Sequence, residues 1–420
     1  MAAVKPASPS ALKPWLALLR APGLGTVSAA RLLQQFGDPA TLFASSSATW
    51  SAAGIPASLH KGLREPDQAG IDSDLHWLEG DGRHLITWSD PRYPAQLREI
   101  VQAPIALFCH GDPALLSKPQ LAIVGARSAT PQGLESAEGF AAELTRRGLL
   151  VTSGLALGID GAAHRGGLAG RASTIAVIAT GADLVYPARH RTLAHEIAAR
   201  GALVSEWPLG TPARASHFPQ RNRLIAALAV GALVVEAAPR SGSLITARLA
   251  NELGRDVFAM PGSIHAPLAQ GCHALIRDGA KLTAAPLDVL EEYGLGEAAA
   301  HIAQHSGSSP DNAEAAGTAG QRAGEPAAKA GSAVAAAASP ASEGVPPDTP
   351  AERSVLAALG YGPVTYEWLA EHSGLSDDVL HRALLALELA GRVASVAGGR
   401  FARLDAARHP HPCGVLHSPE

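Results

Sequence analysis

The sequence has few cysteines and few aromatic residues. Its three cysteines, Cys109, Cys272 and Cys413, are far apart and have no paired spacing, which argues against both a disulfide framework and a zinc site. Aromatic residues make up only 4% of the 420 residues, whereas the apolar fraction of 47% is ample for folded structure. A chain of this length is expected to form two or three domains.

The chain also lacks a net positive charge and any long apolar run. Its formal net charge is −4 at pH 7, so a site for a polyanion must be a local concentration of arginine. No stretch approaches the length of a transmembrane span, and the amino terminus lacks a basic start followed by an apolar core. We therefore expect a cytoplasmic protein without a membrane span.

Two common nucleotide-binding motifs are missing. Neither Gly-x-Gly-x-x-Gly nor the Walker pattern ending in Gly-Lys-Ser/Thr occurs at a strand-to-helix turn, so dinucleotide binding and NTP hydrolysis lose their best support. His164, His195 and His217 have no sequence-adjacent partner that would indicate a nucleophile and its base. The sequence predicts no catalytic residue, no metal site and no cofactor.

Short β-rich runs alternate with helical stretches through the middle of the chain. This alternation predicts an α/β fold with a mostly parallel, Rossmann-like sheet and helices on both faces. The predicted strands are Leu121–Val124, Leu149–Thr152, Ile175–Ala179, Ala202–Ser205, Leu233–Glu236 and Val257–Ala259. Ligands of such sheets bind at the carboxyl ends of the strands.

Two folded parts precede a long low-complexity segment. Residues 11–75 predict a helical domain that resembles a SAM or helix-hairpin-helix unit, with a turn at Pro22-Gly23-Leu24-Gly25-Thr26. Residues 85–295 form the predicted Rossmann-like domain. Residues 296–350 are rich in alanine, glycine, serine and proline and lack apolar periodicity, which predicts a disordered linker.

The last part of the chain predicts a small domain and a tail. Residues 351–405 show three short amphipathic helices and a closing β pair around Gly398-Gly399, an order that resembles a winged helix. For residues 406–420 the sequence predicts a frayed tail that is interrupted by prolines. Its residues His409, His411, Cys413 and His417 have nothing to fix ligand geometry, so we do not interpret them as a metal site.

The stretch from Phe218 to Ala250 concentrates the features of an anion site. It predicts a helix over Leu224–Val230, a β-rich run and a second helix over Leu244–Leu253. Ser241, Gly242 and Ser243 stand where the strand's carboxyl end meets the second helix. Free backbone N–H groups and the helix dipole converge on an anion at such a point.

Arginines follow several of the predicted strands. Arg127 comes just before a helix start at Thr130-Pro131, where a cation is electrostatically misplaced unless an anion joins it. We interpret Arg127 as a phosphate contact, with a solvated side chain as the alternative. Arg221 and Arg223 flank Asn222 in one turn, and either is a candidate for an anion contact or for an internal strut.

If Arg221 or Arg223 is an internal strut, its partner would be Glu206 or Glu236. Arg189 follows the pair Tyr186-Pro187, which offers an aromatic face or a packing ring at the same edge. The run from Ser153 to Gly161 supplies glycines that permit close backbone approach to a ligand, or a tight turn that needs none.

Together these motifs resemble the DNA-processing family called DprA, also known as Smf. The resemblance is carried by Gly125-Ala126-Arg127-Ser128-Ala129-Thr130, Ser153-Gly154-Leu155-Ala156-Leu157-Gly158-Ile159-Asp160, Gly181-Ala182-Asp183-Leu184-Val185-Tyr186-Pro187, Ser205-Glu206-Trp207-Pro208, Phe218-Pro219-Gln220-Arg221-Asn222-Arg223, Ser241-Gly242-Ser243-Leu244-Ile245-Thr246-Ala247 and Met260-Pro261-Gly262. These motifs run in the family's order over residues 121–290, and several together are far more specific than any one.

The resemblance implies a non-enzymatic, dimeric single-stranded DNA-binding protein. Members protect incoming DNA in natural transformation and load the recombinase RecA onto strands covered by single-strand binding protein. The expected DNA-binding residues are Gly125, Arg127, Ser153, Gly154, Arg189, Arg221, Asn222, Arg223, Ser241, Gly242, Ser243 and Thr246. The family's basic residue directly after Tyr-Pro is Ala188 here, with Arg189 beside it. We expect the homodimer contact in the apolar segment Ala274–Leu282.

Two other functions remain as alternatives. Glu236, followed by Ser241-Gly242-Ser243, superficially suits a Rossmann-like nucleotide phosphoribohydrolase. A winged-helix transcription regulator would read DNA with the predicted helix Ser376–Ala390. That helix carries Asp377, Asp378 and Glu388 against one arginine, Arg382, which disfavours binding in a DNA groove.

Overall fold

The computed structural model describes residues 8–295 and 349–404, apart from 361, 391, 397 and 398. The predicted linker therefore lies outside the described residues except for its last two positions. The predicted tail, with its histidines and Cys413, also lies outside them. Within the described ranges, no helix has both the length and the apolarity needed to cross a membrane.

A nine-stranded sheet organises the chain from residue 83 to residue 282. Its strands stand in the order β1-β2-β6-β5-β4-β3-β7-β8-β9. β6, β5, β4, β3, β7, β8 and β9 pair in parallel, whereas β1–β2 and β2–β6 pair antiparallel. The strands are β1 Arg83–Thr87, β2 Ala106–Gly111, β3 Gln120–Val124, β4 Leu150–Ser153, β5 Thr174–Val177, β6 Ala202–Ser205, β7 Gly231–Val234, β8 Asp256–Ala259 and β9 Lys281–Leu282.

Helices cover both faces of this sheet. The helices of this part of the chain are α7 Pro131–Arg146, α8 Ile159–Ala169, α9 Arg191–Arg200, α10 His217–Leu228, α11 Ser243–Glu252, α12 Gln270–Arg277 and α13 Pro286–Glu292. β3 is buried along its whole length. Leu121 and Ile123 pack with α7 and α8 on one face, and Ala122 and Val124 pack with α10, α11 and α12 on the other. The predicted α/β architecture is confirmed.

The strand order contains a switch point between β3 and β7. From β3 the chain moves outward through β4, β5 and β6, and it then returns to place β7 on the other side of β3. Loops after the two strands flanking a switch point diverge and leave a crevice at the carboxyl ends. The turns at Gly125–Arg127 and Ser241–Ser243 therefore face a common opening.

A helical module precedes the sheet and shares a core with it. Its helices are α1 Pro9–Leu19, α2 Thr26–Phe36, α3 Pro39–Ala44, α4 Ser47–Ala52, α5 Ala57–Arg64 and α6 Gln68–Leu78. Leu16 and Trp50 of the module belong to one buried cluster with Leu85 of β1 and Phe108 of β2. The ring of Trp77 meets that of Phe108 edge-on, with centroids 6.1 Å apart. The module is thus joined to the sheet by continuous apolar packing.

The carboxyl-terminal part forms the predicted winged helix. It contains α14 Pro350–Leu359, α15 Tyr366–His372 and α16 Asp377–Leu389, with strands β10 Val364–Thr365, β11 Val393–Val396 and β12 Arg400–Arg403. β11 and β12 pair antiparallel as the closing β pair. Val355, Leu369, Leu380 and Leu387 form part of its own buried core.

Two features of the sheet domain differ from the sequence prediction. α10 begins at His217 rather than at Leu224, because Pro219 lies in the first turn, where the missing N–H would have no partner in any case. The sequence pattern did not resolve β1, β2 and β9, of which β1 and β9 are the two edges of the sheet and β2 lies between β1 and β6. β9 has only two residues, too few to show a period.

Close packing of α7 on α8 gives a test of the fold. A Cβ on Gly166 of α8 would lie 2.0 Å from the carbonyl oxygen of Glu138 in α7. We expect Gly166→Ala to lower the free energy of unfolding by about 1–3 kcal/mol, because the two helices must move apart. Urea unfolding followed by circular dichroism measures the change.

Gly139 provides the matched control, because a Cβ there has nothing within 4 Å. Gly139→Ala is an exposed substitution in the same helix pair and should raise stability by roughly 0.5–1 kcal/mol through helix propensity. Equal stability of the two variants would contradict the packing of these helices.

Candidate functional site

The crevice at the switch point is a cavity of about 590 Å³. The turn after β3, the turn before α11 and the first turns of α10 form its walls, together with Ala213–Ala215 from the loop between β6 and α10. Most of the predicted binding residues meet here. They are Gly125, Arg127, Arg221, Asn222, Ser241, Gly242, Ser243 and Thr246. A smaller recess of about 60 Å³ adjoins it and is lined by Gly154 and again by Arg127.

Arg221 lies in the floor of the cavity and is almost completely buried, with 3% of its surface exposed. Its Nη1 donates to the carbonyl oxygen of Val177, at 2.8 Å. A Cβ on Gly154 would lie 1.6 Å from the same Nη1, so only glycine leaves room for the guanidinium. Burial lowers the pKa of Arg221 to about 10, which leaves the side chain charged at neutral pH.

Asp160 supplies the negative charge that opposes Arg221. Burial raises the pKa of the Asp160 carboxyl, and the nearby Arg221 opposes that shift. Asp160 also accepts hydrogen bonds from the backbone N–H groups of Gly154, at 3.1 Å, and Ala156, at 3.3 Å. The backbone amide of Gly154 is therefore engaged within its own turn.

His164 completes the turn after β4. Its Nε2 accepts from the backbone N–H of Leu155, at 3.3 Å, and its Nδ1 lies 2.8 Å from the hydroxyl of Thr174. Burial lowers the pKa of His164 to about 3, so the ring is neutral and able to accept. Asp160 and His164 thus make this glycine-containing run a self-supported turn, and its amides do not form an open phosphate cradle.

Two side chains in the floor have polar atoms without partners. Nε of Arg221 and Oγ1 of Thr246 are both buried and make no hydrogen bond within the described part of the chain. Both residues line the cavity. Buried polar groups are normally paired, so two unpaired ones on residues that line one cavity make a polar ligand favourable there.

The turn before α11 forms part of the cavity wall. The hydroxyl oxygens of Ser241 and Ser243 are 2.7 Å apart, and Nδ2 of Asn222 donates to the carbonyl oxygen of Gly242, at 3.4 Å. α11 begins at Ser243 and runs for 10 residues, so its positive dipole end points toward this turn. The turn thus adds hydroxyl groups and partial positive charge to the cavity wall.

An arginine and two aromatic rings form the rim. The guanidinium of Arg127 lies over the ring of Phe218, with Cζ 5.2 Å from the ring centroid. Phe218 in turn packs against Tyr186, whose ring is 5.7 Å away and half exposed. Arg127 forms no ion pair with any residue that the structure describes, and Arg214 adds a second exposed cation to the wall. Arg127, Phe218 and Tyr186 together form a rim stack.

Ser153, Arg189 and Arg223 line neither the cavity nor the adjoining recess. Ser153 is fully buried and donates its hydroxyl to the carbonyl oxygen of Ile123, at 2.6 Å. It therefore ties β4 to β3. Arg189 is exposed on a short 3₁₀ turn at Ala188–His190. These three residues stand outside the cavity that gathers the other candidates, and a DNA contact of the exposed Arg189 stays a prediction.

Arg223 points away from the cavity because it is paired. It forms a salt bridge with Glu206, and both side chains are nearly buried. Burial raises the pKa of Glu206, an effect that the charge of Arg223 opposes. Of the two arginines in α10, Arg221 therefore belongs to the site and Arg223 is the internal strut.

Glu236 is also engaged elsewhere. Its two carboxylate oxygens accept from the backbone N–H of Thr130, at 2.9 Å, and from the Thr130 hydroxyl, at 2.6 Å. Glu236 therefore binds the residue that caps the start of α7, and it does not line the cavity of the switch point. An enzyme that uses Glu236 at this cavity finds no support in the geometry.

Phe218 and Arg214 were not among the predicted binding residues. Phe218 stands in a recognisable motif, but an aromatic residue at the start of an apolar helix is more often a core residue. Arg214 is a single cation in an irregular loop, and nothing in its local pattern indicates which way it faces.

Comparison with known proteins yields two family models. The model described as DNA recombination-mediator protein A matches residues 84–294, and the model described as DprA winged helix domain matches residues 336–399.

Curated relatives and a solved structure are also similar to the chain. Protein Smf of Escherichia coli (strain K12) is 39% identical over 349 residues, which are 82% of this chain and 84% of that protein. DNA processing protein DprA of Streptococcus pneumoniae (strain ATCC BAA-255 / R6) is 47% identical over 204 residues, 49% of this chain and 72% of that protein. The X-ray structure of DNA processing protein A from Streptococcus pneumoniae covers 69% of this chain and 99% of its own, at 36% identity and a TM-score of 0.61.

The pairing of Arg223 with Glu206 leads to a stability prediction. We expect Arg223→Met to lower the free energy of unfolding by about 3–5 kcal/mol, because it leaves the buried carboxylate of Glu206 unpaired. Chemical unfolding of the single variant and of the double variant Arg223→Met with Glu206→Met makes the comparison. The double variant should recover most of the loss, since no buried charge remains. A stable single variant would show that the pair is not structural.

Proposed function

The chain belongs to the DprA/Smf family of DNA-processing proteins, and from that premise we propose that it binds single-stranded DNA in the cavity of the switch point. The observation that carries the proposal is the rim stack standing above a floor with unpartnered polar atoms. This arrangement brings a cation, an aromatic face and two residues with unpaired polar groups to one opening.

The charges of the cavity suit a sugar-phosphate chain. Arg127 and Arg214 are exposed on its wall, whereas the charge of Arg221 in the floor is opposed by Asp160, so the two exposed arginines supply the surplus positive charge. The amino end of α11 adds partial positive charge. The whole chain is slightly acidic, so attraction of a polyanion requires a local group of arginines such as this one. Binding through phosphates is sensitive to salt and indifferent to sequence.

The rings of the rim stack suit an unpaired base. Stacking on an aromatic side chain contributes about 1–3 kcal/mol per base and tolerates any base, because every base has a π-face. Tyr186 is half exposed beside Phe218, so a free face is available. A base reaches a ring at the mouth of a recess only when it is not held in a duplex. This favours single strands over double strands.

The winged helix does not provide a better DNA site. Asp377 and Asp378 stand in the first turn of α16, and Nε of Arg382 donates to the carbonyl oxygen of Asp378. Binding of such a helix to DNA is unfavourable, because the two carboxylates at its amino end would repel the phosphates. We therefore assign DNA binding to the sheet domain rather than to a transcription-regulator mode of the winged helix.

The proposal is one of binding without catalysis. Glu236, the residue that an enzyme of the phosphoribohydrolase type would use, is held by Thr130. Incubation of the protein with nucleoside monophosphates should release no free base. Base release that depends on Glu236 would instead favour the enzyme.

The finer parts of the proposal follow from family membership. We infer that the protein acts in the cytoplasm, protects incoming single strands and loads RecA onto DNA covered by single-strand binding protein. We also infer a homodimer that pairs through Ala274–Leu282. β9 lies within that segment at the sheet's end, pairs with β8, and has Leu282 half exposed. A strand with a free side accommodates a second copy.

The rim stack gives the main test of the proposed function. We expect Arg127→Ala to weaken binding of single-stranded oligonucleotides of every sequence, because a phosphate contact carries no base information. The slope of log affinity against log salt should flatten by about 0.7, the value for one phosphate contact to a single strand. Fluorescence anisotropy at several salt concentrations measures both.

Arg171→Ala is the matched control. It removes the same charge from an exposed arginine just before β5, at the opposite end of the strands, and should leave affinity and slope unchanged. Phe218→Leu should weaken binding at an unchanged slope, because it removes a ring and no charge. Equal affinity of Arg127→Ala and Arg171→Ala would remove Arg127 from the site.

A further inference from the structure

The loop between β6 and α10 forms one wall of the cavity, yet its tip is fastened elsewhere. Residues 213–215 of this loop line the cavity. The tip, residues 208–211, contacts the helical module on one side and the turn that carries Tyr186 on the other. These contacts join parts of the chain that are far apart in sequence.

The helical module holds the tip through a buried ion pair. Asp74 of α6 is completely buried, and Nε and Nη2 of Arg20 donate to its two oxygens, at 2.6 Å each. Nη2 of Arg20 also donates to the carbonyl oxygen of Leu209, at 3.3 Å, while the N–H of Leu209 points at Asp74, at 3.4 Å. Both partners of the pair therefore engage the backbone of one loop residue.

The side chain of Leu209 strengthens this attachment. It is buried in the same apolar cluster as Trp15, Leu16 and Leu18 of α1. The loop tip is thus part of the core of the helical module, although it lies in the chain of the sheet domain. A movement of the module relative to the sheet would move this tip.

The turn that carries Tyr186 holds the opposite side of the tip. The N–H of Gly210 donates to both carboxylate oxygens of Asp183, at 2.9 and 3.1 Å. The N–H of Gly181 donates to the carbonyl oxygen of Thr211, at 2.9 Å. Two adjacent backbone amides, those of Leu209 and Gly210, therefore point to carboxylates from two different parts of the molecule.

We propose that Arg20 and Asp74 are positioning residues for the DNA site. They hold the loop tip so that Arg214 on the wall and Tyr186 on the rim stay fixed about the cavity mouth. The helical module then serves single-strand binding without touching DNA at this site. This inference rests on the proposed function, because it assigns the module a role in that same cavity.

The energetics agree with a positioning role. A buried ion pair adds little stability over an apolar pair of the same shape, because desolvation offsets much of the Coulombic attraction, although removal of one partner leaves a costly unpaired charge. The apolar cluster of the module already joins it to the sheet. The pair instead fixes the orientation of the loop backbone, because its hydrogen bonds hold both the carbonyl oxygen and the N–H of Leu209.

The test compares two charge-removing variants of the helical module in the full-length protein. Arg20→Gln breaks the attachment. Arg31→Gln removes the same charge from an exposed residue of α2 and serves as the control. Each is measured for affinity to a fluorescent oligothymidine, for the salt slope, and for hydrogen exchange of the peptide covering residues 206–216.

We expect Arg20→Gln to bind about tenfold more weakly, equivalent to 1.4 kcal/mol, with the salt slope of the wild type. The slope is retained because Arg20 does not line the cavity, so no phosphate contact is lost. Exchange should accelerate in residues 206–216 and remain unchanged in β3, β4 and β7. Arg20→Lys should recover part of the affinity, because an ammonium still reaches Asp74.

Several outcomes would overturn the inference. Wild-type affinity of Arg20→Gln would do so, as would faster exchange spread over the whole module and sheet, which would indicate general destabilisation. If Arg20→Gln does not fold, Asp183→Ala releases the tip from its other side without touching the module, and undiminished affinity of that variant would equally reject the role. A wild-type protein that binds no single strand would reject the proposed function instead, while the exchange measurement would still report on the attachment.

Discussion

The arrangement of the site depends on one buried cation. Arg221 reaches beneath Gly154 to the carbonyl oxygen of Val177 and stands near the carboxylate of Asp160. It therefore joins the ends of β4 and β5 and the start of α8. A charge in such a position must be balanced, and the turn after β4 is shaped by the residue that balances it. Asp160 accepts hydrogen bonds from two backbone N–H groups of that turn and so fixes the course of the turn. Arg221 and Thr246 then form the floor of the cavity.

The sequence was sufficient for the sheet architecture and for bringing most of the candidate residues to one cavity, because both depend on local patterns. Each strand from β3 to β8 has a short β-rich run, and parallel strands bring their carboxyl ends to one edge. This places Gly125, Arg127 and Ser241–Ser243 together without any knowledge of long-range contacts. The roles of Arg221 and Arg223 did not follow in the same way. They lie two residues apart in one helix, and only the positions of Asp160 and Glu206 in space decide which one is a strut.

The attachment of the helical module to the loop is a second feature that could not be predicted from the sequence. Arg20 and Leu209 are 189 residues apart, and neither stands in a motif. The buried side chain of Asp74 looks like any acidic residue in a short amphipathic helix. Periodicity identifies the apolar face of such a helix, but it does not show that a loop of another domain completes the core. The module is therefore recognisable as a domain, whereas its connection to the cavity is visible only in three dimensions.

The stacking of Arg127 on Phe218 has a consequence for the kinetics of association. A free arginine side chain loses roughly 2 kcal/mol of rotamer entropy when it is fixed in a contact. A guanidinium held against a ring has lost part of that freedom before the ligand arrives. In the proposed binding mode, a single strand would meet a cation that is already oriented, so its capture would need little rearrangement of the protein.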